Sequence, residues 1–280
     1  MSVASEPRTA PTVPEEDGVP PGPATAVAGE GLLALWRRWS LGLWLAPVGI
    51  AALAGVLFVY YRSLKTEDAG FQQSSALQWG TKLWPQTVQH LQIAFWSTLI
   101  VVVIAVPLGV LLTRPAFRQV GPYIVTVANS GQALPAYGLL VLFLGLLGQG
   151  ASTAIWALAF YALLPVLRNT MVGLDNVDRA VIEAGRGMGM TRWRVLTRIE
   201  LPLAVPVILA GIRVAMILNI GMATLAFLIG GGGLGVTINS GLKLQQDSVL
   251  IVGGVLVAIV ALTFDWVGAV AERYLRPRGL

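Results

Sequence analysis

The sequence contains no cysteine, a single histidine and few charged residues. The absence of cysteine excludes disulfides, thiolate metal sites and cysteine nucleophiles. The one histidine, His90, has no carboxylate near it in the sequence, so we predict neither a metal site nor a catalytic base. Charged residues make up 12% of the chain, against about 25% in soluble domains, and 55% of the residues are hydrophobic. This composition is typical of an integral membrane protein rather than an enzyme.

The sequence also lacks the G-x-x-x-x-G-K-[ST] motif, so the chain supplies no Walker-type ATPase of its own and we predict no bound cofactor. Residues 230–235 formally satisfy G-x-G-x-x-G. A dinucleotide site would also need a preceding strand, whereas these glycines follow an apolar span. We interpret them as a break that lets residues 236–242 fold back or pack closely against a neighbouring helix. The net charge of +5 comes without any nucleic-acid motif, so no nucleic-acid partner is predicted.

Six apolar stretches are long enough to cross a bilayer as helices, since about 20 residues suffice. They are residues 41–61, 91–113, 123–147, 148–167, 203–229 and 248–270. With the N-terminus inside, fifteen of the 19 lysines and arginines fall on the cytoplasmic side. Both termini and residues 171–202 are therefore predicted to be cytoplasmic.

A few polar residues interrupt the predicted spans. Asn129, Gln132 and Asn219 either form hydrogen bonds between helices or line a translocation path. Arg213 either lies near the inner headgroups or faces such a path. Asp265, near the inner end of the sixth span, could pair with an arginine.

Residues 171–202 are polar and arginine-rich, and they predict a helix, a glycine turn and a second helix. Asp175 or Asn176 could cap the first helix, over residues 177–186, and Thr191 could cap the second. Pro202 marks where the chain re-enters the membrane. The segment 171–202 has many apolar side chains for a loop in water, namely Val181, Ile182, Met188 and Trp193. From the residues alone, the segment is either a helix lying on the inner leaflet or a docking surface for another protein.

The same segment resembles the EAA loop of ABC-transporter permeases. The matching positions are Glu183, Ala184 and Gly185, then Gly189, and finally Ile199, Leu201 and Pro202. Only Gly185 departs from the family pattern, which has alanine there, and we expect this to loosen the turn. The resemblance favours docking. It implies a coupling helix in which Glu183, Ala184 and Gly189 shape the turn, while Met188 and Met190 enter a groove of a separate ATPase subunit.

The resemblance also implies the fold and the organisation of the chain. The expected fold is all-α, with six transmembrane helices and a cytoplasmic coupling helix, as in type I ABC importer permeases. Residues 1–35 would be a disordered cytoplasmic tail and residues 36–62 an additional first transmembrane helix. Residues 88–272 would form the core of five spans, including the 171–202 loop, and residues 273–280 a cytoplasmic tail.

Residues 163–170, 219–225 and 275–280 are similar to segments of permeases for glycine betaine, choline and related osmoprotectants such as carnitine. This implies the membrane subunit of an importer in a bacterial or archaeal cytoplasmic membrane. Its expected partners are ATPase subunits, which bind the ATP, a second permease subunit, an extracytoplasmic binding protein and the lipid bilayer. The alternatives are an importer for another small solute, such as an amino acid, or a secondary transporter that needs no ATPase.

Overall fold

The computed structural model describes residues 23–64 and 75–275, and the surroundings of side chains from residue 43 onward. The chain divides at Trp44 into two compact units. The first described helix, α1, covers Pro23–Ser63. Helix α1 thus begins inside the predicted N-terminal tail, and the disorder of that tail stays a prediction. Residues 1–22 and 276–280, the remaining parts of the two predicted tails, lie outside the described residues.

The second unit, from Leu45 onward, contains ten further α-helices within the described residues. They are α2 (Trp84–Leu112), α3 (Gly121–Ala133), α4 (Ala136–Leu147), α5 (Ala151–Tyr161), α6 (Leu163–Asp175), α7 (Arg179–Gly187), α8 (Arg192–Val195), α9 (Leu201–Ala223), α10 (Gly235–Lys243) and α11 (Asp247–Leu275). Two π-helical turns, Trp79–Leu83 and Leu196–Glu200, and a 3-10 turn, Ala226–Ile229, complete the order.

Five helical stretches are long and apolar enough to cross a membrane, and a bent pair of helices makes a sixth if it is counted as one span. The five are Leu43–Ser63, Trp79–Leu112, Ala151–Asp175, Arg192–Ala223 and Asp247–Leu275. Several predicted boundaries need correction. The second span begins at Trp79, the fourth continues to Asp175, the fifth runs from Arg192 to Ala223, and the sixth continues to Leu275.

The predicted third span is broken rather than continuous. The axes of α3 and α4 differ by 105°, and the chain between them is extended at Leu134 (ψ 141°) and Pro135 (ψ 133°). Proline lacks an N–H group and disfavours the helical conformation in the residue before it. Pro135 therefore accounts for the break at this position.

Helices α6 and α9 pack closely because each presents a glycine to the other. A Cβ at Gly173 of α6 would lie 3.3 Å from the Cβ of Ala204. A Cβ at Gly211 of α9 would lie 2.7 Å from the Cβ of Asn169 and 2.9 Å from the carbonyl oxygen of Pro165. Small residues let helix backbones approach closely in membranes. Helix α9 also packs against α2 and α11, so it lies at the centre of the bundle.

Both π-helical turns end two residues before a proline, Pro85 in one case and Pro202 in the other. A proline inside a helix removes a backbone donor and crowds the preceding turn. A local widening to π geometry accommodates it without ending the helix. The chain therefore continues as one helix from Arg192 to Ala223.

Candidate functional site

The segment predicted as a 32-residue loop is mostly helix, and only residues 176–191 lie between two candidate spans. Helix α6 continues to Asp175, and Asn176 follows its last turn. The side chain of Asp178 accepts a hydrogen bond from the Ala180 amide (2.8 Å) and caps α7. The predicted caps, Asp175 and Asn176, are therefore wrong by two to three residues. Both belong to the end of the preceding helix.

Helix α7 ends in a glycine turn of the Schellman type. The Met190 amide donates to the carbonyl of Gly185 (3.2 Å), and the Gly189 amide donates to the carbonyl of Arg186 (2.9 Å). These are the two hydrogen bonds of that motif. Gly189 adopts the left-handed conformation (φ +80°), which costs a residue with a side chain about 1–2 kcal/mol. The predicted turn is present, and within it only Gly189 is left-handed.

Gly185 lies inside α7 rather than in the turn. It is buried, and a Cβ there would lie 2.6 Å from Cδ1 of Ile199. Its missing side chain makes room for Ile199, and α7 packs directly onto the start of the following span. The expectation that Gly185 loosens the turn stays a prediction.

The second predicted helix begins where Thr191 caps it by accepting a hydrogen bond from the Arg194 amide (3.3 Å). This prediction is confirmed. The helix then runs through Leu201, which is partly buried, and Pro202, which is exposed, without a break. The π-helical turn accommodates Pro202, so this helix is continuous with the fifth span. That Pro202 marks where the chain re-enters the membrane stays a prediction.

The surface around the turn carries large apolar side chains that are exposed in the part of the chain the structure describes. Met188 is 71% exposed and Trp193 is 72% exposed. Glu183 and Ala184 are exposed on α7, and Met190 is partly buried beneath them. Such a patch on a rigid, capped helix is suited to contact with another protein. We call Glu183, Ala184, Met188 and Trp193 the α7 surface.

Three ion pairs join separate elements in the part of the chain that the structure describes. Arg114, just after α2, lies 2.5 Å from the carboxylate of Glu200 in the second π-helical turn. Arg213 of α9 makes a two-point contact with Asp265 of α11 (2.6 and 2.8 Å), and Glu272 lies 3.8 Å from it. The structure thus pairs Asp265 with an arginine, as the sequence suggested was possible. Sequence reasoning missed Glu200, although a carboxylate directly before the apolar run that begins at Leu201 was a usable signal.

Of the three candidate path residues, Asn219 lies on α9, whereas Asn129 and Gln132 lie on α3. Asn219 has no exposed surface. Its amide fits best when the nitrogen donates to the carbonyl of Leu158 (3.0 Å) and the oxygen accepts from Ser97 (3.1 Å). This favours the hydrogen-bonding alternative for Asn219, because the bonds join α2, α5 and α9. Asn129 is exposed and Gln132 is partly buried on the last turns of α3, beside the break.

At the opposite end of α2, polar side chains hold the 230–235 segment. Gln89 accepts a hydrogen bond from the Gly233 amide (3.1 Å), and Gln86 accepts one from the Thr237 hydroxyl. The Nε2 atom of His90 is 2.9 Å from the carbonyl of Ile220. His90 is fully buried, and the described residues contain no group of three or more metal-ligating side chains that could hold an ion.

The interpretation of residues 230–235 as a break is confirmed. Gly230, Gly232 and Gly233 are left-handed, and α10 folds back against α11, where a Cβ at Gly253 would lie 2.9 Å from the Ile238 side chain. A cleft of about 300 Å³ lies beside this end of the bundle. It is lined by Ser75, Ala76, Lys82, Gln86, Val236, Thr237, Ser240 and Leu244.

Comparison with known proteins agrees with this geometry. Residues 105–278 match the family described as binding-protein-dependent transport system inner membrane component. The chain is 45% identical over 201 residues to the glycine betaine/carnitine/choline transport system permease protein OpuCB of Bacillus subtilis (strain 168), covering 72% of this chain and 92% of that protein. The choline transport system permease protein OpuBB of the same strain is 46% identical over 201 residues, with the same coverage.

The osmoprotectant import permease protein OsmY of Salmonella typhimurium (strain LT2) is 41% identical over 189 residues, covering 68% of this chain and 80% of that protein. Among solved structures, an inward-facing form of the MetNI methionine ABC transporter matches 70% of this chain and 96% of that chain. Its TM-score is 0.63 at 24% identity. This likeness confirms the expected type I ABC importer permease fold and carries no information about substrate. The chain therefore belongs to the family of inner-membrane components of binding-protein-dependent transport systems.

Proposed function

We propose that this chain forms the translocation path of an ATP-driven importer for quaternary-amine osmoprotectants such as glycine betaine, choline or carnitine. The observation that carries the substrate class is its 45% and 46% identity to permeases named for those solutes. Its resemblance to them extends over most of the chain. An importer for another small solute is the alternative.

The α7 surface is the proposed docking site for the ATPase subunit. Met188 and Trp193 are each more than 70% exposed on either side of the glycine turn, and Glu183 and Ala184 are exposed on α7. The sequence contains no Walker motif, so the energy for transport would come from a separate subunit. The lysine and arginine distribution places this surface and both termini in the cytoplasm.

The break between α3 and α4 is the proposed lining of the path. Asn129 is exposed near the break, and Gln132 lies one turn further on. Polar side chains and unpaired backbone groups do not face lipid without a large free-energy cost. Broken helices are tolerated where they line a cavity or contact another subunit. A second permease subunit, identical or homologous, would complete the path, and an extracytoplasmic binding protein would deliver the solute.

The substrate class is tested by the ATPase rate of the complete complex in lipid nanodiscs. We expect binding protein loaded with choline, glycine betaine or carnitine to raise the rate several-fold over empty binding protein. Methionine and glutamine, added at the same concentration, serve as controls. Stimulation by an amino acid and by none of the quaternary amines would replace the proposed substrate with the alternative.

A further inference from the structure

The ion pair between Arg114 and Glu200 is the most deeply placed charge contact at the end of the bundle that carries α7. The two charged atoms are 2.5 Å apart, and the Glu200 side chain is only 6% exposed. The Nε atom of Arg114 also donates to the carbonyl of Val110 in α2 (3.2 Å). The guanidinium is therefore held by its own helix on one side and by Glu200 on the other.

Glu200 belongs to the same packed body as α7. It ends the π-helical turn that follows α8, and Val195 and Leu196 beside it are buried. Ile199, its neighbour in the chain, fills the space above Gly185 of α7. A displacement of α7 would therefore move Glu200 with it.

Arg114 is hydrogen-bonded to helix α2, and the other end of α2 also forms hydrogen bonds to neighbouring elements. Helix α2 runs without a break for 29 residues, or about 44 Å. At its far end, Gln86 and Gln89 bind Thr237 and the Gly233 amide, and His90 bonds to Ile220 at the end of α9. Helix α2 thus links the α7 end of the bundle to the 230–235 segment.

We infer that Arg114 and Glu200 are positioning residues for transport, and that their ion pair makes α2 follow the movement of α7. Apolar contacts between helices permit sliding, whereas a buried charge without its partner is strongly unfavourable. The ion pair therefore prevents α2 and α7 from sliding past each other while the complex changes state. The inference rests on the proposed function, because it takes the ATPase to dock on the α7 surface.

The first test compares Arg114→Met, Arg114→Lys and Glu200→Gln with wild type in the assembled complex in proteoliposomes. The matched control is Arg118→Met, since Arg118 is exposed and forms no ion pair within the described residues. We expect Arg114→Met and Glu200→Gln to keep the ATPase subunit bound and to hydrolyse ATP, but to import at least five-fold less choline per ATP. Arg114→Lys, which keeps the charge, should recover part of that ratio, and Arg118→Met should behave as wild type.

The second test does not need an active transporter. Because the chain has no native cysteine, spin labels can be placed at Met188→Cys and Leu99→Cys, both exposed positions on α7's turn and on α2. In the isolated chain, we expect the distance distribution between the labels to broaden in Arg114→Met and not in Arg118→Met.

An unchanged import-to-ATP ratio in Arg114→Met, or an unchanged distance distribution, would overturn the inference. Loss of the ATPase subunit in parallel with transport would also overturn it, because the pair would then be purely structural. Absence of ATP-driven choline uptake by the wild-type complex would instead contradict the proposed function, and the label distances would still decide the role of the pair.

Discussion

Gly189 shows how one backbone angle shapes a surface. Its φ of +80° ends α7 between Met188, which is 71% exposed, and Met190, which is partly buried. Gly187, two residues earlier, is helical, and a Cβ there would meet nothing within 4 Å. The two glycines are therefore a natural test pair, because only one of them needs to lack a side chain.

We predict that Gly189→Ala weakens binding of the ATPase subunit and that Gly187→Ala does not. Alanine at 189 is destabilised by about 1–2 kcal/mol in the left-handed region, so the turn would open and the α7 surface would lose its shape. Gly189→Asn should fall between the two, because asparagine tolerates this conformation better. Co-purification of the tagged permease with its ATPase measures the effect. Equal recovery from all three variants would contradict this account of the turn.

Arg213 is a charged residue within a candidate span, and its contact with Asp265 indicates its role. The sequence left open a position near headgroups or a position on the path. The structure gives it a two-point contact with Asp265, at 2.6 and 2.8 Å. This contact holds α9 against α11, and it explains the charge at Arg213 without a role in lining the path.

We predict that Arg213→Met lowers the stability of the protein in detergent by about 1–3 kcal/mol, because it leaves Asp265 unpaired within a candidate span. The figure lies below the range of about 3–5 kcal/mol for fully buried pairs, since both side chains are partly exposed. The double variant Arg213→Met/Asp265→Leu should recover most of the loss. Thermal unfolding followed by tryptophan fluorescence measures both. A single variant that melts with wild type would show that the pair contributes nothing.

At the scale of elements, the apolar pattern predicts where helices occur better than where they end. The number of spans follows from runs of about 20 apolar residues, because length and hydropathy dominate that choice. The ends of the helices do not follow from these runs. Arg168 and Asn169, for example, are polar and yet lie within α6. Similarly, α8 and α9 form one helix through Pro202, since a π-helical turn, which no composition rule indicates, absorbs the proline.

The break between α3 and α4 has a local cause in Pro135, yet its angle of 105° depends on the elements packed around it. The pairing of distant side chains also cannot be predicted from the periodicity of the sequence. Arg114 and Glu200 are 86 residues apart, and nothing in either segment specifies the other. The Thr191 cap, by contrast, depends on adjacent residues only and is predictable from them.

The contact between α6 and α9 makes a prediction at this scale. Gly211→Ala would place a Cβ 2.7 Å from Asn169 and 2.9 Å from the backbone oxygen of Pro165. We expect it to destabilise the protein by about 1–3 kcal/mol, because the backbone oxygen cannot move without shifting α6. Gly221→Ala, in the same helix, is the control, since a Cβ there meets nothing within 4 Å. Thermal unfolding in nanodiscs distinguishes them, and similar melting temperatures would argue against close packing at Gly211.

At the scale of the whole molecule, the described structure has the α7 surface, which we propose to be a docking site, at one end and the glycine-rich 230–235 segment at the other. The α7 surface is built on a capped helix, while the 230–235 segment is held by Gln89 and neighbouring residues of α2. Family membership follows from the match over residues 105–278 and does not depend on these contacts. What the contacts add is a physical connection between the two ends within a single chain.

The most direct measurement of the central claim is uptake of labelled choline and glycine betaine into proteoliposomes that contain this chain, its ATPase and its binding protein. The account predicts accumulation that requires ATP on the α7 side of the membrane. It also predicts that accumulation falls to background without the ATPase or with Gly189→Ala. Accumulation by this chain alone, without an ATPase, would contradict the account and identify a secondary transporter.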